Sequence, residues 1–351
     1  MSEFFWFLER VLSYVWKIRG RKKGVHDRGI SILEKYDLEA SAASRGRGAL
    51  ICQTGQGLVL IREYYGSTRK LEYQAKLLEK ISGQKEIHVD TLKRNKEENY
   101  ITVDKENIPY LVKNWYDGKE CDTQSRKDIM RSVKALASLH KTMQMPVWEH
   151  YVRESLLSEY ERHNRELRKI KKFIFQKHQK NEFERCYLEH ADRYLCCAEE
   201  AFKRISQSSY DRLRTVSLER GCVCHGAFHQ HNILMWDSET AVVNFDNWNY
   251  DVQMADLYQF MRKILEKHGW DKELGKEMIQ SYCEIRPLIK EERENLAVRF
   301  AYPEKFWKLA NYYYTHNKVW IPKKNLEKLR KLISQYEKWL EFVESINTLE
   351  K

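Results

Sequence analysis

The densest run of chemically capable side chains lies between positions 222 and 246. Cys222, Cys224, His225, His229 and His231 stand close together there, and thiolate and imidazole are the groups that bind zinc. Their order, Cys-x-Cys-His-x3-His-x-His, matches no recognised zinc spacing. Cys222 and Cys224 fit an ordinary buried strand equally well, because free cysteine is among the most buried residue types. A Cys/His nucleophile would need a third group to orient the imidazole, and none is identifiable. Further along stand Asn244 and Asp246. On a regular strand these two share a face, so Asp246 is a metal-ligand candidate, with loop hydrogen bonding as its other reading. Asp256 opens an apolar-periodic run and reads as a helix N-cap that anchors the preceding loop.

These residues occupy an island, 221–248, that breaks the helical period. It reads as a strand, a His-rich loop, the apolar run Ile233-Leu234-Met235, a turn, and Ala241-Val242-Val243-Asn244-Phe245. Helices surround it. Ile129, Val133, Leu136, Ala137 and His140 mark one. Leu156, Tyr160, His163, Leu167, Ile170 and Ile174 mark a long second, Phe183 through Phe202 a third. Leu326, Leu329, Ile333, Tyr336, Leu340 and Val343 continue the period near the C-terminus. Upstream the pattern is different. Two β-favouring runs, 49–54 and 58–62, flank Gly55-Gln56-Gly57 and predict a hairpin. Residues 27–37 and 69–81 read as helices, and 99–103 and 110–115 as strands. The expected class is α+β: a small antiparallel sheet with one main helix, then a larger helical part, joined by a crossover near 113–122.

Composition excludes several alternatives. The chain has 351 residues, 42% of them apolar. Its longest apolar runs are about five residues, against the ~20 a membrane helix needs. The eight cysteines follow no secretory signal and form no disulfide-scaffold spacing, which suits reduced thiols in a cytosolic compartment. The net charge of +11 is spread along helices with acids interleaved, so nucleic acid is not the expected partner. One basic cluster is different. Apolar positions 4, 5, 8, 11, 12, 15 and 16 share a helical face, and Lys17, Arg19, Arg21, Lys22 and Lys23 follow. An amphipathic arm of this kind over residues 4–23 suits a membrane surface, its own protein or a partner.

The island also carries a resemblance. Cys224-His225-Gly226-Ala227-Phe228-His229-Gln230-His231-Asn232-Ile233-Leu234 resembles the His-Gly-Asp-x-x-x-x-Asn-Ile-Leu loop of aminoglycoside and choline kinases. Asn244-Phe245-Asp246 resembles their Asp-Phe-Asp strand, and Asp256-Leu257 the opening of their next helix. The stretch Phe260–Trp270, with Ala301–Lys308 and Lys318–Lys323, narrows the likeness to the CotS family of spore-coat proteins. The resemblance covers about residues 30–345. It implies a bilobal protein kinase-like fold, with a small lobe at 27–116 and a helical lobe at 117–351 holding the catalytic-type loop at 221–248, and leaves the arm at 1–26 outside.

Phosphoryl transfer needs a carboxylate to orient the attacking hydroxyl and metal ligands to neutralise phosphate charge. In the family loop the first is the Asp after His-Gly, and here it is Ala227. The metal-binding Asp is Asn244, and the loop Asn is kept as Asn232. The degenerate metal set implied is therefore Asn232, Asn244 and Asp246, with Asp237 a second carboxylate able to compensate. The phosphate-contacting Lys is replaced by Arg62, with Glu72 as its expected ion-pair partner, so Arg62, Glu72 and Asn232 make up any residual nucleotide site. Ser44-Arg45-Gly46-Arg47-Gly48 is the reduced glycine-rich turn, and 113–116 the hinge. In the family Tyr302, Trp307, Trp320 and Tyr312–Tyr314 would line the helical lobe's cleft, although core packing is the plainer reading. The expectation is a pseudokinase of the spore coat, made in the cytoplasm, requiring no cofactor and binding ATP/Mg weakly if at all. Its expected partners are other spore-coat proteins. The alternative is an active or residual ATP-dependent phosphotransferase acting on a small molecule or coat protein.

Overall fold

The computed structural model describes residues 29–84, 87–315 and 323–348, together with the pair Trp16–Lys17. Its strands, in chain order, are β1 (Trp16–Lys17), β2 (Ala40–Gly46), β3 (Ala49–Thr54), β4 (Gly57–Glu63), β5 (His88–Val89), β6 (Ile101–Val103) and β7 (Pro109–Asn114). They continue with β8 (Lys119–Glu120), β9 (Val223–Cys224), β10 (Ile233–Trp236), β11 (Glu239–Val242) and β12 (Asn249–Tyr250). The chain divides into two compact units, Met1–Asp122 with Gln230–Asp246, and Thr123–His229 with Asn247–Lys351.

The first unit is built on an antiparallel sheet in the order β1-β2-β3-β4-β7-β6. The hairpin expected across Gly55-Gln56-Gly57 is present as β3 paired with β4. The β2–β3 turn is equally short, with two residues between the strands. Arg47 (φ 57°) and Gly48 (φ 71°) both adopt left-handed backbone, the conformation that matches a two-residue turn to the twist of its strands. One sheet face buries Cys52, Val59, Ile61 and Val112 against Ile32 and Leu33. The last two lie on a 3-10 helix, Ile30–Tyr36, where a helix over 27–37 was expected. The main helix α1 (Thr68–Ser82) starts at Ser67, whose side chain accepts the Lys70 N–H, and buries Leu71, Ala75, Leu78 and Ile81.

A second sheet, β5-β11-β10-β8, draws 230–246 into this unit. Leu234 pairs opposite Glu120 and Ala241 opposite His88. Leu234, Ala241 and Val243 pack with Trp115, Tyr116 and Trp236. Pairing across the expected boundary at 116/117 explains why the division falls after Asp122. The arm expected over 4–23 lies outside the described residues except for Trp16–Lys17. Those two are strand rather than helix, paired with Ala43 and Ala42.

The second unit is helical: α2 (Arg126–Thr142), α3 (Leu156–Gln176), α4 (Glu182–Gln207), α5 (Tyr210–Glu219), α6 (Met254–Leu265), α7 (Lys272–Ile285) and α8 (Lys290–Ala301). Then follow α9 (Glu304–Thr315), α10 (Lys323–Ser334) and α11 (Tyr336–Thr348). Side-chain oxygens of Ser125, Ser155 and Asn181 start α2, α3 and α4, satisfying amides that the helix leaves unpaired. Tyr302 stacks on Tyr160 at 3.7 Å between ring centres, and Trp307 on His163 at 3.3 Å. These aromatics serve interhelical packing. Tyr313 stacks on Phe183, Tyr312 and Tyr314 are partly exposed, and Trp320 lies outside the described residues. No described helix is long and apolar enough to cross a membrane. Leu136 on α2 is fully buried, so Leu136→Ala is expected to lower the unfolding free energy by about 2–5 kcal/mol, as read from urea titration.

Candidate functional site

The first unit gathers five charged residues around the Asn244–Asp246 turn. Lys113, on β7, is 1% exposed, and Asp90 is equally buried. The Lys113 Nζ donates to Asp90 Oδ2 at 2.9 Å and lies 3.6 Å from Asp246 Oδ1. Arg62, at the end of β4, forms an ion pair with Asp246 Oδ2. Lys70, on α1, donates to the Asp246 carbonyl at 2.8 Å. Burial alone would raise the Asp246 pKa, but the charges of Lys113 and Arg62 hold it below the usual carboxylate range.

The turn is not a strand. β11 ends at Val242, Asn244 is left-handed (φ 68°), and Phe245–Asn247 form a 3-10 turn. The alternation expected to put Asp246 beside Asn244 therefore fails. The Asn244 N–H donates to Asp90 Oδ2 at 3.0 Å, and its side-chain amide reaches Asn232 Oδ1 at 3.5 Å. Asn232 and Asn244 thus converge, while the Asp246 carboxylate is committed to cations. Asp237 sits in the exposed turn between β10 and β11.

The Arg62–Glu72 pair expected from sequence is replaced by Arg62–Asp246. Glu72 is exposed, and the buried polar residue of α1 is Gln74. A helix turns about 100° per residue, so positions 72 and 74 lie on opposite sides. In the glycine-rich turn, Arg47 is anchored to Glu120 and to the His231 carbonyl, and His231 Nδ1 also contacts Glu120. The hinge likewise spends its groups locally. The Trp115 N–H donates to the Leu58 carbonyl, and Tyr116 Oη donates to the Val89 carbonyl.

The second unit holds the start of the catalytic-type loop. Asp256 is fully buried and accepts the N–H groups of His225 (2.5 Å) and Gly226 (2.9 Å). Its Oδ2 lies 3.4 Å from His140 Nε2, and His140 Nδ1 lies 2.6 Å from Tyr282 Oη. Burial pushes the His140 imidazole down toward its neutral form. Burial would raise Asp256, but hydrogen bonds from His140 and the Gly226 amide keep it below the carboxylate range. Asp256 lies inside the first turn of α6, whose N-cap is Gln253, so the N-cap expectation is corrected and the loop-anchoring one is kept. Gly226 is obligatory: its φ is +74°, and an added Cβ would sit 2.1 Å from the Asn247 carbonyl. Next to it Ala227 places a buried methyl where the family pattern has a carboxylate. The zinc reading gains nothing. Burial pushes the Cys224 thiol well up, and no group of three or more His, Cys, Asp or Glu among the described residues is placed to hold a metal.

The family model described as "Spore coat putative kinase YutH" matches residues 30–346. The chain belongs to this family. It is similar to spore coat protein S of Bacillus subtilis (strain 168), with 26% identity over 171 residues, 48% of this chain and 49% of that protein. The chain therefore spans about half the length of this curated relative. Among solved structures it is similar to an aminoglycoside phosphotransferase from Alicyclobacillus acidocaldarius, with a TM-score of 0.82 and 15% identity, covering 95% of this chain and 98% of the other. A Plasmodium vivax ethanolamine kinase has a TM-score of 0.52 and 13% identity, covering 95% and 94%. These likenesses show the kinase-like α+β fold expected from the sequence.

A kinase-like fold implies Mg-ATP, and the residues of this spore-coat family member do not fit the metal. Mg²⁺ favours charged oxygen ligands and gives up water reluctantly. Asn232 and Asn244 offer neutral amides. Asp90 is bound by Lys113, and Asp246 is held between Lys113 and Arg62.

Because the folded Asp246 pKa is depressed, its ion pairing contributes stability above the unfolded value of about 4 and loses it as pH falls through the lower folded value. The stability gap between wild type and Asp246→Asn is expected to be constant from about pH 7 to 5 and to shrink below about pH 4, as measured by denaturant unfolding across pH. A gap independent of pH would contradict the pairing.

Proposed function

We propose that this protein is a catalytically degenerate kinase-like component of the spore coat, a pseudokinase acting through interaction with other coat proteins and requiring no cofactor. Membership in a spore-coat family supports the location. The catalytic reading rests on chemistry. Ala227 can neither orient nor deprotonate a hydroxyl, and loss of a general base typically costs about 10²–10⁴-fold. Loss of metal charge stabilisation adds several kcal/mol to the barrier. The observation that carries the proposal is the Asp246 carboxylate, the residue best able to rescue a metal site, which is instead paired with Arg62 and Lys113. An amide at position 244 and a neutralised carboxylate at 246 leave little to attract Mg²⁺.

The test is ATP turnover and autophosphorylation with Mg-ATP, using the full chain, Asp246→Ala, and the double reversion Ala227→Asp with Asn244→Asp. Wild type is expected to transfer no phosphate above the buffer rate, and Asp246→Ala to leave that result unchanged. Gain of turnover in the double reversion would assign the loss to those two positions. Wild-type turnover abolished by Asp246→Ala would overturn the proposal in favour of a working phosphotransferase.

A further inference from the structure

Lys113 is an unusual residue for its place. It lies in β7 between Val112 and Asn114, beside the fully buried Leu111 and Val112, and is itself 1% exposed. A buried ammonium without partners is costly enough to lose its proton or unfold its surroundings. Here it is compensated by two carboxylates from different parts of the chain. Its Nζ is 2.9 Å from Asp90 Oδ2 and 3.6 Å from Asp246 Oδ1. The same Asp90 oxygen accepts the Asn244 N–H at 3.0 Å. One positive centre thus ties β7, the residue after β5 and the Asn244–Asp246 turn together.

Two further observations bear on the role of that centre. The Oδ1 atoms of Asp90 and Asp246 are buried. Asp246 Oδ1 faces the Lys113 ammonium at 3.6 Å, with the Gln74 side chain also interacting with that carboxylate, so charge supplies much of what holds it there. Charge is already in excess. Lys113, Arg62 and Lys70 face Asp90 and Asp246, so a divalent ion added to the cluster would leave three uncompensated positive charges in a partly dehydrated place.

We propose that the Lys113 ammonium is a tethered substitute for a divalent cation, fixing the Asn244–Asp246 turn by bridging Asp90 and Asp246. This rests on the pseudokinase reading and extends it: the site has acquired an internal cation in addition to losing metal ligands. A lysine ammonium is a compact point charge with three donors, so it can bridge two carboxylates as a hydrated metal would, without needing any ion from solution.

The experiment is titration of the metal-stripped full chain with Mn²⁺, following free Mn²⁺ by electron paramagnetic resonance and stability by thermal unfolding. Wild type is expected to bind no Mn²⁺ at this site and to show no change in Tm. Lys113→Ala, and Lys113→Met, which keeps the aliphatic stem, are expected to have a lower Tm that Mn²⁺ raises. Each should take up one Mn²⁺ per chain, and adding Asp90→Asn or Asp246→Asn should abolish the uptake. Wild-type Mn²⁺ binding lost in Asp246→Asn would overturn the proposal, as would Lys113 variants that gain no binding. Variants that stay unfolded with and without Mn²⁺ would also count against it, because the carboxylates would then not accept a metal in the ammonium's place. The turnover assay is independent: a wild type inert toward ATP that nonetheless binds Mn²⁺ would sink this inference and spare the pseudokinase reading.

Discussion

A lysine ammonium shared between two carboxylates organises the first unit around its most unusual turn. Lys113 brings its charge from a central strand, Asp90 from the end of β5, and Asp246 from a 3-10 turn far along the chain. Breaking a buried ion pair by removing one member typically costs about 3–5 kcal/mol, because the remaining charge is left without solvent. That cost applies to the fully buried Lys113–Asp90 pair, and the half-buried Asp246 is tied to it through Lys113. The Asn244 backbone, bonded to the same Asp90 oxygen, is held by that constraint as well. In this arrangement Asp246 is a structural anion.

The second unit uses a carboxylate in a comparable way. Asp256 accepts two consecutive backbone amides of the His225-Gly226 loop and faces His140 in full burial. Gly226 must take a left-handed conformation against the Asn247 carbonyl for that loop to close. The scaffold that would present a catalytic carboxylate is thus intact, and the presented residue is Ala227. A loop kept in shape without its reactive group is consistent with a role that depends on the fold and its surface.

Much of this was legible in the sequence. The hairpin at Gly55-Gln56-Gly57, the apolar stripe of α1 and the long stripe of α3 announce themselves by period, since burial of one face imposes it. The loop residues Ala227, Asn232 and Asn244 were found through the motif around them. The site's electrostatics were hidden for physical reasons. Strand alternation groups Asp246 with Asn244, but it ends where Asn244 turns left-handed. Glu72 looked like the partner of Arg62 because it is acidic and close in sequence, yet the inward position of α1 belongs to Gln74. By position Lys113 belongs to the hinge stretch. The available signal was a lysine inside an apolar β-run, which burial permits only with a charge partner. Asp90 gave no such sign, since a two-residue strand carries no period. Its role depends on a partner far away in the chain, and one sequence does not display that pairing.

The central claim is that Asp246 is bound by protein cations where a kinase-like site would present it to a metal. A crystal structure of the full chain grown with Mn²⁺ and a non-hydrolysable ATP analogue, recorded at the manganese absorption edge, tests this directly. The account predicts no anomalous peak within bonding distance of Asp246, with the Arg62 and Lys113 contacts intact. A peak coordinated by Asn232, Asn244 and Asp246, with Asp246 turned away from Arg62, would contradict it.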